Sequence, residues 1–125
     1  MANVLGIGGV FFKSTDPKKL TDWYATHLGL KIESYGAARF DPKALPASAS
    51  VVWTPFKAST DYFAPSTKDF MLNLIVDDVQ GVLQRAAAGG AQIVGEISEY
   101  DFGSFGHFVD PDGNKVELWA PKAKG

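Results

Sequence analysis

The segment FGHFVDPDGNKVELWAP, residues 105–121, decides how the rest of the chain is interpreted. Its centre, residues 110–113, concentrates turn-forming residues: proline presets φ, glycine tolerates a positive φ, and aspartate side chains accept hydrogen bonds from nearby backbone. The flanking runs, residues 106–109 and 115–119, have the composition of short strands. The segment therefore predicts a β-hairpin.

The second strand of this hairpin has two different faces. Side chains alternate along a strand, so Val116 and Leu118 point to one side while Glu117 and Trp119 point to the other. We expect the aliphatic side to pack on a helix. An acid beside a tryptophan on the opposite side predicts the lining of a cavity.

Composition excludes several classes of function. The 125 residues suffice for one domain, and a formal charge of −2 makes nucleic acid and anionic membranes poor partners. No apolar run reaches the ~18 residues of a transmembrane helix, and residues 1–6 lack the basic region of a secretory signal. The absence of cysteine excludes thiolate catalysis and disulfides. A cytoplasmic location is the simplest expectation.

Two helices are predicted from their end signals. Asp16 as N-cap and Pro17 at the first helical position begin one helix, which Gly29 ends. Asp78 caps the second helix, and two glycines starting at Gly89 end it. The predicted strands before the central connection are residues 5–13, 31–35, 38–41 and 50–54, and those after it are residues 70–76, 92–97, 105–109 and 115–119.

The second half of the chain repeats the first. Two helix starts, at Asp16 and Asp78, are separated by a fixed interval along the chain. Two Trp-x-Pro strand ends, which begin at Trp53 and Trp119, are separated by nearly the same interval. Two tandem β-α-β-β-β modules, about residues 4–55 and 69–121 of a single domain 1–125, describe this pattern. The fold class is α+β, with curved mixed sheets around a cavity.

The repeat and its motifs resemble the vicinal oxygen chelate superfamily, which includes glyoxalase I, bleomycin resistance proteins, fosfomycin resistance enzymes and extradiol dioxygenases. The similar stretches cover residues 23–30, 76–78, 110–114 and 116–119. The resemblance implies the glyoxalase/bleomycin resistance fold. It also implies a homodimer, because short chains of this family pair to complete two cavities.

The resemblance further implies where a metal would bind. Metal-using members place one ligand on the first and one on the last strand of each module, which corresponds here to Gly9, Val51, Met71 and Glu117. Glycine and valine offer no ligand atom, and a thioether suits soft ions. One carboxylate does not make a site. The expectation is therefore no metal and no cofactor.

Glu117 and His107 are the candidate catalytic residues. A buried Glu117 would act as a general base or hold a cationic group, and the alternative is a partly solvated acid paired with Lys13 or Arg39. If Phe108 packs on the helices, His107 faces the cavity and bonds a ligand or transfers a proton. The alternative is a histidine at the rim of the sheet.

The candidate ligand-binding residues share the face of the four metal positions. An apolar pocket with a few polar groups is the usual form of a small-molecule site. Further aromatic residues in flanking loops, among them Tyr62 and Phe105, either join this wall or fill the core. The candidate set is Phe11, Trp53, Asn73, Trp119 and Glu117.

Two functions remain open at this point. The first is a protein that binds a small aromatic or cationic organic molecule without a metal. The alternative is a vicinal-oxygen-chelate enzyme of the lyase, isomerase or dioxygenase type. It would use Glu117 and His107, or a metal site elsewhere.

Overall fold

A computed structural model of the protein describes residues 2–122. Four strands of the second half form one mixed sheet in the order β1-β4-β3-β2, and two helices and a short 3-10 turn at Pro42–Ala44 accompany it. The helices are α1 (Pro17–Leu28) and α2 (Val79–Ala88), and the strands are β1 (Leu72–Ile75), β2 (Gln92–Tyr100), β3 (Gly103–Val109) and β4 (Lys115–Pro121). The predicted fold class is confirmed.

The hairpin predicted from residues 105–121 is present. β3 and β4 pair antiparallel, and Gly113 adopts a φ of 82°, a region that favours glycine. Asp110 organises the turn by accepting hydrogen bonds from the backbone N–H groups of Asp112 and Asn114, each at 2.9 Å. The turn chemistry predicted from the sequence therefore determines the local structure.

Both helices begin where their caps predict. The Asp16 side chain accepts a hydrogen bond from the Lys19 N–H, and the Asp78 side chain accepts one from the Gly81 N–H. Gly29 ends α1 in the left-handed conformation.

The core lies between the helices and one face of the sheet. Gly106 on β3 allows α2 to approach closely, because a Cβ there would lie 2.7 Å from Val79 Cγ1 and 2.9 Å from Leu83 Cδ1. The buried apolar residues are Leu20, Tyr24, Val79, Leu83, Ala86, Phe108, Val116 and Leu118. The opposite face of the sheet is consequently left for the cavity.

The first half of the chain departs from the prediction. Its helix is present, but residues 5–13, 31–35, 38–41 and 50–54 form no sheet. Within residues 2–122, the pairing in this half is limited to one bridge between Ile32 and Ala38. A strand persists only when a neighbour satisfies its backbone groups, and beyond this bridge the segments are not paired with one another within residues 2–122.

No helix within residues 2–122 combines the length and the apolar character needed to cross a bilayer.

Candidate functional site

Strand register brings three polar side chains together on the face opposite the core. β1 runs parallel to β4 and pairs Asn73 with Glu117, while β3 runs antiparallel to β4 and pairs His107 with Glu117. Phe108 is fully buried against the helices, so alternation turns His107 toward the cavity. Three adjacent strands thus present an amide, a carboxylate and an imidazole in one row.

Glu117 is the centre of this site. Its Oε1 accepts a hydrogen bond from Asn73 Nδ2 at 2.8 Å, and its Oε2 accepts one from the Tyr62 hydroxyl at 2.6 Å. His107 Nε2 lies 2.8 Å from the same Oε2. An ionised carboxylate only accepts, so this contact places a proton on Nε2 of His107. The partners of Glu117 in the structure are thus Asn73, Tyr62 and His107, rather than the Lys13 or Arg39 of the alternative interpretation.

The environment keeps Glu117 ionised. Burial by itself raises the pKa of the carboxyl group, since only 12% of the side chain is exposed. The hydrogen bonds from His107, Tyr62 and Asn73 outweigh burial and hold the pKa of Glu117 below its ordinary value. At neutral pH the site therefore contains an oriented, largely desolvated anion.

Tyr62 is a site residue outside the predicted ligand-binding set. It lies in the aperiodic connection between the modules, and only its aromatic character pointed to the cavity. Partial burial, followed by the bond to Glu117, raises the pKa of the Tyr62 hydroxyl. Tyr62 therefore remains a proton donor to Glu117 across the neutral range.

Lys115 holds the backbone of Tyr62. Its Nζ donates to the Tyr62 carbonyl oxygen at 2.6 Å and lies 5.0 Å from the centre of the Tyr62 ring. Burial lowers the pKa of Lys115, whereas the negative charges of Glu117 and Asp61 act in the opposite direction. A second tie joins the same connection to the hairpin turn, where Ser66 Oγ donates to the Gly113 carbonyl oxygen at 2.6 Å.

A cavity of about 370 Å³ opens beside Glu117. Its wall is mainly aromatic, and two of its rings, Tyr100 and Phe102, stack in parallel with centroids 5.3 Å apart. Its volume lies in the range of small-molecule sites. The lining residues are Phe56, Tyr62, Ser98, Tyr100, Phe102, Phe105, His107 and Glu117.

The predicted ligand-binding residues have different positions. Asn73 contacts Glu117 directly, and Trp119 stacks on the cavity residue Phe105 at 6.3 Å. In contrast, Phe11 is 95% exposed and Trp53 is 76% exposed, and neither lines this cavity. The site consists of residues from the second half of the chain and from the connection that precedes it.

The residues at the four metal positions do not fit a divalent cation. Gly9, Val51 and Met71 provide no oxygen or nitrogen side-chain ligand. Within residues 2–122, no group of three histidine or carboxylate side chains is arranged to hold a metal ion. His107 and Glu117 also bond each other, so each of these two side chains already has a protein partner.

The glyoxalase-like domain model matches residues 9–119, and the chain belongs to this family. A search of curated proteins finds no significant match. The fold is also found in solved structures of low sequence identity.

Three of these structures illustrate the similarity. The antibiotic binding protein TnmS3 from Streptomyces sp. CB03234 is 24% identical, with 87% of this chain and 89% of that chain covered and a TM-score of 0.51. A protein of unknown function from Agrobacterium tumefaciens is 19% identical, with coverages of 95% and 100% and a TM-score of 0.56. A glyoxalase/bleomycin resistance protein/dioxygenase superfamily member from Sphaerobacter thermophilus is 21% identical, with coverages of 84% and 88% and a TM-score of 0.50.

Proposed function

We propose that the protein binds a small, planar, aromatic or cationic organic molecule in the Glu117 cavity without a metal. The observation that carries this proposal is an ionised carboxylate, oriented by three hydrogen-bond donors, at the side of an aromatic cavity. The description of TnmS3 as an antibiotic binding protein supports small-molecule binding as a use of this fold.

The hydrogen bonds of Glu117 define the polar group of the ligand. A carboxylate has about four acceptor positions, two on each oxygen. Tyr62 and His107 occupy Oε2, whereas Asn73 alone occupies Oε1. One acceptor position on Oε1 therefore remains for a ligand N–H. A cationic N–H is preferred, because the carboxylate is largely desolvated and negatively charged.

The stacked rings define the rest of the ligand. A planar ligand can contact the aromatic wall face to face or edge to face, and each such pair contributes about 0.5–1.5 kcal/mol beyond burial. An anion is disfavoured because its charge would lie close to Glu117. The combination selects flat, apolar molecules with a basic nitrogen.

Two three-ring dyes test this selection. 9-Aminoacridine is a planar cation at neutral pH, and 2-anthracenecarboxylate is a planar anion on the corresponding all-carbon three-ring frame. We expect tryptophan fluorescence titrations to show binding of the cation and not of the anion. The affinity for the cation should be unchanged after the protein has been treated with EDTA. Loss of binding after EDTA, restored by zinc, nickel, manganese or iron, would contradict the metal-free proposal.

Variants locate the binding in the cavity. Glu117→Gln should weaken 9-aminoacridine binding by about tenfold or more, because a charge-assisted hydrogen bond is lost. Trp119→Ala should weaken it by about two- to tenfold. The matched control is Glu96→Gln, an exposed glutamate on β2, which should leave the affinity unchanged. Equal affinities in Glu96→Gln and Glu117→Gln would place the ligand elsewhere.

The bond between His107 and Glu117 favours a second candidate, an enzyme of this family that moves protons without a metal. Glu117 would orient the imidazole, and His107 would exchange a proton with a carbon acid in the cavity. Deuterium incorporation from D₂O into a panel of small ketones, followed by NMR, tests this candidate. Incorporation that is abolished in both His107→Gln and Glu117→Gln would support the enzyme over the binding protein.

We also propose a homodimer in the cytoplasm. The apolar segments of the first module are exposed in one copy, and Phe11 and Trp53 are available to a partner. A closed two-fold pair is the commonest oligomer.

A further inference from the structure

The connection between the modules, residues 56–66, forms one wall of the cavity. Phe56 and Tyr62 line the cavity from this connection, and their rings stack with centroids 5.8 Å apart. Residues 56–66 contain no helix or strand of their own. Their position therefore depends on side-chain ties to the hairpin.

The hydrogen bond from Lys115 to the Tyr62 backbone is unusual because its donor is a buried ammonium group. Lys115 is only 6% exposed, and a buried ammonium group is destabilising unless it is hydrogen-bonded. It directs Nζ at the Tyr62 carbonyl oxygen, at 2.6 Å, and at the face of the same tyrosine ring. A methionine would fill a similar volume without the cost of desolvating a charge, so packing alone does not explain a lysine here.

The two contacts of Tyr62 are coupled by its own backbone. Lys115 and Glu117 lie on the same face of β4, two residues apart. Lys115 binds the carbonyl group of Tyr62, and Glu117 accepts from the hydroxyl of the same residue. One strand therefore fixes both ends of the tyrosine.

We propose that Lys115 is a positioning residue: it holds the backbone of Tyr62 so that the hydroxyl donates to Glu117 and residues 56–66 form the cavity wall. The consequence for ligand selection rests on the proposed function, whereas the positioning of Tyr62 does not. Without this tie, Glu117 loses one of its three donors and the cavity loses part of its aromatic wall.

The carboxyl group of Glu117 reports this positioning directly. The chain contains four glutamates, so ¹³C labelling of glutamate carboxyl groups gives four signals, and Glu117→Gln assigns the relevant one. The groups that face Glu117 are Tyr62 from the connection, His107 from β3, Asn73 from β1 and Lys115 from β4. Lys115 acts on Glu117 through its charge as well as through its contact with Tyr62, so the variants are compared in one cycle.

The cycle consists of the wild type, Lys115→Met, Tyr62→Phe and the double variant, each titrated without ligand. Tyr62→Phe should raise the pKa of Glu117 because one donor is lost. Lys115→Met should raise it through two effects, loss of a nearby positive charge and release of Tyr62. In the Tyr62→Phe background only the charge effect remains. The rise in the Glu117 pKa caused by Lys115→Met should therefore be smaller in that background than in the wild type.

Equal shifts in the two backgrounds would overturn the proposal, because Lys115 would then act through charge alone. Circular dichroism establishes that each variant is folded. If Lys115→Met does not fold, Lys115→Ala, which also removes both the charge and the donor to Tyr62, enters the same cycle. With Lys115→Ala, the same comparison of backgrounds decides the outcome.

Ligand affinity separates this proposal from the proposed function. Lys115→Met and Tyr62→Phe should each weaken 9-aminoacridine by about threefold to tenfold, the value of one hydrogen bond. The double variant should be no weaker than the weaker single variant. One further outcome is that the wild type fails to bind 9-aminoacridine while Lys115→Met still shifts the Glu117 pKa unequally in the two backgrounds. That result would contradict the proposed ligand class and would leave the role of Lys115 supported.

Discussion

Glu117 illustrates how one residue acquires its properties from several distant parts of the chain. Its carboxylate is 12% exposed, yet donors from β1, β3 and the connection keep it ionised. Burial alone would favour the neutral acid, and the three hydrogen bonds reverse this preference. A carboxylate held in this way is prepared to receive a cation without reorganisation.

The lowered pKa of Glu117 predicts a pH dependence of stability. A group whose pKa is lower in the folded state stabilises the fold above its unfolded pKa, and this contribution disappears as the pH falls through the folded value. Urea unfolding of the wild type and Glu117→Gln should therefore differ at neutral pH by about 1 kcal/mol, a typical hydrogen-bond contribution. The difference should decrease in the acid range. A difference that grows as the pH falls would contradict the lowered pKa.

The site was only partly predictable at the scale of residues. Asn73, His107 and Glu117 lie in strands, where alternation and register determine the face that each side chain occupies. Tyr62 follows no period, and its place depends on a hydrogen bond from Lys115 to its backbone. No local pattern encodes that contact, so only the assembled structure shows it.

At the scale of elements, the β3–β4 hairpin joins the two halves of the chain. The Tyr24 hydroxyl of α1 donates to Asp110 Oδ2 in the hairpin turn at 2.8 Å, and both residues are buried. Asn114 Nδ2 donates to the same oxygen at 2.9 Å. Burial, followed by the charge of Asp110, raises the pKa of Tyr24, which keeps the tyrosine a donor. The first helix is thus anchored to a turn in the second module.

Removing this anchor should destabilise the protein. Tyr24→Phe keeps the ring and deletes the donor, so Asp110 retains its other donors but loses one buried hydrogen bond. The expected decrease in the free energy of unfolding is about 1–2 kcal/mol. Tyr35→Phe, at a tyrosine that is 67% exposed, is the matched control and should have no measurable effect in the same urea titration. Equal effects of the two substitutions would show that the buried bond contributes nothing.

Cap and turn residues suffice to predict the helices and the hairpin. The strands predicted in the first half of the chain depend in addition on a neighbouring strand, which these residues do not encode. Caps and turn residues act within a few positions of the chain, so Asp16, Asp78 and Gly113 define boundaries wherever they occur. A strand also needs a neighbour with free backbone groups. Residues 5–13 and 50–54 have strand-like sequences, but within residues 2–122 they are paired with no neighbouring strand.

At the scale of the whole molecule, the exposed apolar surface of the first module is the dominant feature. Val4, Leu5 and Phe11 are each more than 90% exposed, and Trp53 is 76% exposed. Extended apolar surface of this kind marks an interaction site in a folded protein. A second copy has the same unpaired segments and the same need, so mutual strand pairing would cover the apolar side chains and satisfy the backbone groups together.

We therefore expect the protein to be a dimer at micromolar concentration, as measured by light scattering or sedimentation. Phe11→Glu would place a charge within the apolar segment 4–12. Because burying an unpaired carboxylate is strongly unfavourable, this substitution should raise the dissociation constant of the dimer by more than about tenfold. Gln84→Glu adds the same charge at an exposed position of α2, and the dimer should persist in this control. Monomeric wild-type protein would contradict the expectation. A dimer equally stable in Phe11→Glu would show that the copies associate through another surface.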